Sequence, residues 1–119
     1  MVLYLAVAFG GALGALLRFV LVTATGLPVA ILLANVAGSS LMGALVGGQQ
    51  NGFFSFSPFW QSFLLVGVLG AFTTFSTFSY EAFMFFQQGQ VKMAVSYVLA
   101  SVLLALVGFA LGYKIISFF

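Results

Sequence analysis

The sequence has no cysteine, no histidine and no aspartate, and its only acidic side chain is Glu81. Without thiolate or imidazole, no Ser-His-Asp triad, cysteine nucleophile or zinc-type ligand set can be assembled. A single carboxylate also excludes a catalytic acid pair within one chain. The chain is therefore read as something other than an enzyme. Three basic residues, Arg18, Lys92 and Lys114, leave a net charge of +2. That is no basic patch, and it excludes a nucleic-acid surface. What remains is apolar: 64% of the 119 residues are hydrophobic and 3% are charged, with a mean hydropathy of +1.29. Four charges cannot clothe a soluble domain. The composition is that of an integral membrane protein.

A spanning helix needs about 20 mostly apolar residues. Four stretches fit, at approximately 2–22, 29–46, 59–86 and 91–116, in one domain over 1–119. The first has no basic region before its apolar run, because Arg18 follows it, so it reads as a retained span rather than a signal peptide. Pro28 suits the first turn of the second helix, Ser57-Pro58 reads as a cap followed by proline, and Gly89 suits a helix stop. Gly10/Gly14, Gly43/Gly47 and Gly108/Gly112 are GxxxG pairs that let helix backbones approach in lipid. The basic residues favour one orientation by a single charge. Both orientations are then open, and an antiparallel dual-topology homodimer is the expected assembly. Four helices leave little room for a wide path, so a transported solute would have to be very small.

Polar groups inside a span usually face the protein interior or a pathway. Here they are Arg18 at the end of the first span, Asn35, Ser39 and Ser40 in the second, a hydroxyl cluster and Glu81 in the third, and Tyr97 and Ser101 in the fourth. Asn35/Ser39 and Tyr97/Ser101 are each four apart, on one helix face. A lone serine in such a helix most often bonds the carbonyl of the preceding turn. The Asn35 amide needs an inter-helix partner or a ligand, and either remains open. Arg18 and Glu81 read as vestibule groups, or as a structural ion pair or interfacial snorkelling side chains, the latter preferred for Glu81.

The segment GAFTTFSTFSYE, residues 70–81, is the anomaly. Phe72, Phe75 and Phe78 recur every third position, with Thr73, Thr74, Ser76, Thr77 and Ser79 between them. Threonine is a poor helix former and its hydroxyl competes for backbone groups. The third helix is therefore expected to break mid-membrane. Unwound carbonyls carry partial negative charge and can hold a small cation such as sodium. The positive edges of Phe75 and Phe78 can solvate a small anion weakly, so that it is also released.

GGALGALLRF at 10–19, NVAGSS at 35–40 and GAFTTFSTFSYE together resemble the Fluc/CrcB family of fluoride channels over essentially the whole chain. The resemblance implies an all-α dual-topology homodimer with two fluoride pathways. It implies passive fluoride export, hence fluoride resistance, across the inner or plasma membrane of a microbe such as a bacterium. By motif match the pathway residues are Asn35, Phe75, Phe78, Tyr97 and Ser101; Arg18, Ser39, Thr77 and Glu81 are read from their own positions as vestibule or structural polar groups. A structural sodium ion would be held by the backbone carbonyls of Gly70 and Thr73 from both subunits. Ala71, Ser40 and Ala105 depart from the family's pattern, and Ala105 leaves the length of the fourth-helix hydroxyl track open. The alternative is a small multidrug-type four-helix exporter. That function needs a membrane-embedded carboxylate, and the only candidate, Glu81, is terminal in its span. A non-transporting assembly subunit leaves Asn35 and the hydroxyls unexplained.

Overall fold

Apolar runs of this length find no backbone partners in lipid, so each has to close its hydrogen bonds within itself. The computed structural model describes residues 1–26 and 29–118. It shows four helices long and apolar enough to cross a membrane, Val2–Thr25, Ala30–Gln50, Pro58–Gln87 and Val91–Ile116. No strand occurs among the described residues. The expected role of Pro28 lies outside them.

The first two helices run about a turn past their apolar stretches, because polar residues at their ends bond back into the helix. Thr23 and Thr25 hydroxyls donate to the Phe19 and Leu21 carbonyls at 2.8 and 2.7 Å. The Asn51 amide donates to the Gly47 carbonyl at 2.8 Å. The first helix ends at Gly26, in the left-handed region at φ 59°, with its N–H on the Val22 carbonyl at 3.1 Å. Gly89, at φ 73°, turns the chain between the third and fourth spans as its position suggests. Ser57 has the extended backbone of a cap, but its hydroxyl makes no capping bond. The start is instead set by Pro58, whose ring fixes φ.

The GxxxG pairs decide which helices touch. Added Cβ atoms on Gly43 and Gly112 would fall 2.1 Å from the Phe109 and Ser40 carbonyl oxygens. The second and fourth helices thus pack backbone to backbone through glycines on both. The first helix packs in the same way on the third span: Cβ atoms on Gly10 and Gly14 would meet the Phe63 and Val68 carbonyls at 2.3 and 2.1 Å. Lipid tails offer helices no hydrophobic drive to associate, so such close approach is what holds the two pairs together.

The third span is not one helix. Pro58–Gln61 is α-helical, Ser62–Leu69 is a π-helix and Gly70–Phe72 returns to α. Thr73 and Thr74 are then extended, at φ −81°, ψ 153° and φ −154°, ψ 123°, before the helix resumes over Phe75–Gln87. The break falls inside the hydroxyl-rich segment.

Candidate functional site

A broken helix leaves carbonyls without partners at the end of one arm and N–H groups without partners at the start of the next. Thr73 closes the first arm: its N–H and its Oγ1 both donate to the Leu69 carbonyl, at 3.1 and 3.0 Å. The Thr74 N–H would bond the Gly70 carbonyl in a continuous helix. It donates instead to Asn35 Oδ1 at 2.7 Å, while Asn35 Nδ2 donates to the Thr74 carbonyl at 3.0 Å. Thr74 is also the N-cap of the second arm, its Oγ1 accepting from the Thr77 N–H at 3.3 Å. That N–H would otherwise have bonded the Thr73 carbonyl. The carbonyls of Gly70 and Thr73 are thereby released from the helix.

Asn35 therefore has an inter-helix partner: its amide replaces the missing helical bonds of Thr74. Its oxygen and one of its two N–H bonds are committed, and one N–H is left. Gly38, one turn on, lets the break approach this closely. A Cβ there would lie 2.4 Å from Thr73 Cγ2 and 3.2 Å from Phe72 Cδ1. Sequence reading missed both Thr74 and Gly38. The signal for the first was available, since Thr74 stands three residues before Thr77 at the start of a helix, a capping spacing.

One cleft of about 390 Å³ brings together Asn35, Ser39, Gly70, Thr73, Phe75, Phe78 and Ser101. Thr74, Val102, Ala105 and Leu106 complete its wall, so hydroxyls on the fourth helix stop at Ser101 there. Phe75 and Phe78 lie with ring centroids 5.1 Å apart and planes tilted by 52°. Phe78 is buried, whereas Phe75 is 74% exposed at the mouth. Phe78 stacks at 5.6 Å on Tyr97, and Phe85 meets the same tyrosine edge-on at 5.6 Å.

The hydroxyls differ in what they bond. Ser40, Thr73 and Ser79 donate to the carbonyl four residues back, at 2.8, 3.0 and 2.8 Å. Ser101 Oγ, one turn after Tyr97, is buried with no hydrogen-bond partner. The Tyr97 hydroxyl donates to the Glu81 carboxylate.

Arg18, Thr77 and Glu81 line a second cleft, of about 340 Å³, with Phe19, Val22 and Ile31. Of the two readings preferred for Glu81, the ion pair with Arg18 is not formed: the carboxylate accepts from the Tyr97 hydroxyl. Glu81 and Tyr97 share the packed interface of the third and fourth spans, around Phe78 and Phe85. Tyr97 thus stands between the two clefts, stacked on a residue of one and bonded to a residue of the other.

The backbone oxygens fit a small cation better than any side-chain set does. Among the described residues there is no cluster of three or more histidine, cysteine or acidic side chains. Gly70 and Thr73, whose carbonyls the break frees, both line one cleft, and backbone oxygens of this kind suit a hard, singly charged ion.

A family model described as CrcB-like protein, Camphor Resistance (CrcB), matches residues 5–113. A protein of Saccharophagus degradans named fluoride-specific ion channel FluC is 45% identical over 113 residues, covering 89% of this chain and 83% of its own. Proteins of the same name from Shewanella amazonensis and Francisella philomiragia are 40% and 38% identical. They cover 97% and 96% of this chain, and each is matched over 94% of its own length.

Proposed function

The chain belongs to the CrcB-like family, and from that premise we propose that it is a fluoride-specific ion channel and not an enzyme, moving fluoride passively out of the cell. The observation that carries this reading is the first cleft. It brings Asn35 with its spare N–H, the unpartnered Ser101 hydroxyl and two phenylalanine rings together, with no carboxylate in its lining. Fluoride is small and holds its water tightly, so a pore must offer donors in place of water. The spare N–H of Asn35 and the Ser101 hydroxyl are such donors, and the edges of Phe75 and Phe78 add weak positive surface that an ion can leave. No embedded carboxylate is free to exchange protons with a substrate, since Glu81 is engaged by Tyr97. Electrodiffusion therefore needs no further machinery.

A single chain leaves this path open on one side, with Gly70 exposed and Phe75 at the mouth. A second copy, inserted in the opposite orientation, would cover it and give two equivalent pathways. The Gly70 and Thr73 carbonyls of both copies would hold the sodium ion, which would neutralise their partial charges and pin the two breaks together. The cell membrane is the implied location. The test is efflux from liposomes containing the purified protein. Fluoride should escape rapidly and chloride should not. Equal loss of both halides, or loss of neither, would end the proposal. Export of organic cations that disappears in Glu81→Gln, with no fluoride flux, would favour the multidrug-type alternative.

A further inference from the structure

Serines in membrane helices are ordinarily quenched by the carbonyl of the turn before. Ser40 follows that rule, its hydroxyl donating to the Val36 carbonyl at 2.8 Å. Its neighbour Ser39 does not. Among the described residues Ser39 has no hydrogen-bond partner, and it lines the same cleft as the orphaned Ser101 hydroxyl and Asn35. Adjacent serines on one helix thus have opposite fates, the first facing the cleft and the second the helix backbone. An unsatisfied hydroxyl at membrane depth is unfavourable unless a ligand or water completes it.

We infer that Ser39 is a donor to the permeating anion, taking the ion on from the Asn35 N–H and the Ser101 hydroxyl along the stretch beyond them; this rests on the channel reading above. Ser39 is four residues beyond Asn35, so the two project on one face, one turn apart. Asn35 has only one N–H to offer, the other being bound to the Thr74 carbonyl. On the opposite helix the hydroxyl face ends at Ser101, with Val102, Ala105 and Leu106 beyond it. Over that apolar stretch the second helix has to supply the donor, and Ser39 is the side chain it offers. Ser39 is thus a pathway residue and not a vestibule residue.

The experiment is fluoride efflux from liposomes, run in parallel for the parent, Ser39→Ala, Ser39→Thr and Ser40→Ala. A hydrogen bond to an ion is among the stronger ones, and losing it at the barrier should slow Ser39→Ala about tenfold. Ser39→Thr keeps the hydroxyl and should recover most of the flux that Ser39→Ala loses, and Ser40→Ala should conduct like the parent. A conducting parent with Ser39→Ala equally fast would overturn the inference while leaving the channel reading intact. So would a slow Ser39→Ala that added sodium restores, because Ser39 would then serve the cation. Loss of both flux and a single gel-filtration peak in Ser39→Ala and Ser39→Thr alike would assign the residue to packing. A parent that moves no fluoride sinks both readings.

Discussion

Replacing Asn35 separates the two things its amide does. Its oxygen accepts from the Thr74 N–H at 2.7 Å and its nitrogen donates to the Thr74 carbonyl at 3.0 Å. Asn35→Ala removes both and leaves two backbone groups unpaired beside the break. At about 1–3 kcal/mol for each unsatisfied group, the loss is about 2–6 kcal/mol. Asn35→Asp keeps the acceptor, now charged, and loses only the donor, so it should be clearly more stable than the alanine variant. Its effect on flux is of another kind. A fixed negative charge about 6 Å from a permeating anion, at an effective dielectric constant of about 20, repels it by about 2.8 kcal/mol. That lowers occupancy about a hundredfold. The assay pairs fluoride efflux with heating, followed by the fraction that stays in the monodisperse gel-filtration peak. The expected pattern is Asn35→Asp folded and nearly silent, Asn35→Ala markedly less heat-stable. An alanine variant as heat-stable as the parent would refute the brace, and an aspartate variant at parental flux would refute the pathway.

Gly112→Ala should prevent folding, since its Cβ would fall 2.1 Å from the Ser40 carbonyl oxygen, whereas Gly11→Ala, with no atom within 4 Å, should be silent; yield in the monodisperse peak decides. Phe78→Ile should lower both heat stability and flux, because Phe78 is buried and stacks on Tyr97. Phe75→Ile should lower flux with little change in stability, its ring being 74% exposed. Thr74→Ala removes the cap of the second arm and should destabilise by about 1 kcal/mol, read as a modest downward shift in the same heating assay.

The spans were legible because hydropathy in lipid is nearly a complete argument: only a helix satisfies such a stretch of backbone. Their ends were less so. Thr23, Thr25 and Asn51 are polar by type yet extend or close their helices by bonding inward. Hydropathy counts a residue as polar without asking where its polar atom points. The glycine pairs announced close packing, but not that the second helix would choose the fourth and the first the third. That choice depends on which glycine faces which carbonyl. The π-helical turns over Ser62–Leu69 left no trace in the pattern.

Within the site, residue type proved a weaker guide than hydrogen-bond commitment. The segment 70–81 announced a break because threonines compete with the helix. It could not say which hydroxyl would cap, which would be quenched and which would stay unspent. Asn35 reads from its sequence position as either a partner or a ligand, and it has two bonds of the first kind with one N–H over for the second. Glu81 lies near Arg18 in the second cleft and still bonds to Tyr97. The same distinction sets Ser39 apart from Ser40, identical in type and adjacent in sequence. A pathway for a strongly hydrated ion has to be built from the groups a fold leaves unsatisfied, because every bond closed within the protein is one the ion cannot use. Break and cleft are therefore one feature: the turn of helix that Thr73 and Thr74 interrupt releases the oxygens of Gly70 and Thr73 from the helix, and the amide that repairs it keeps one N–H over in the same cleft.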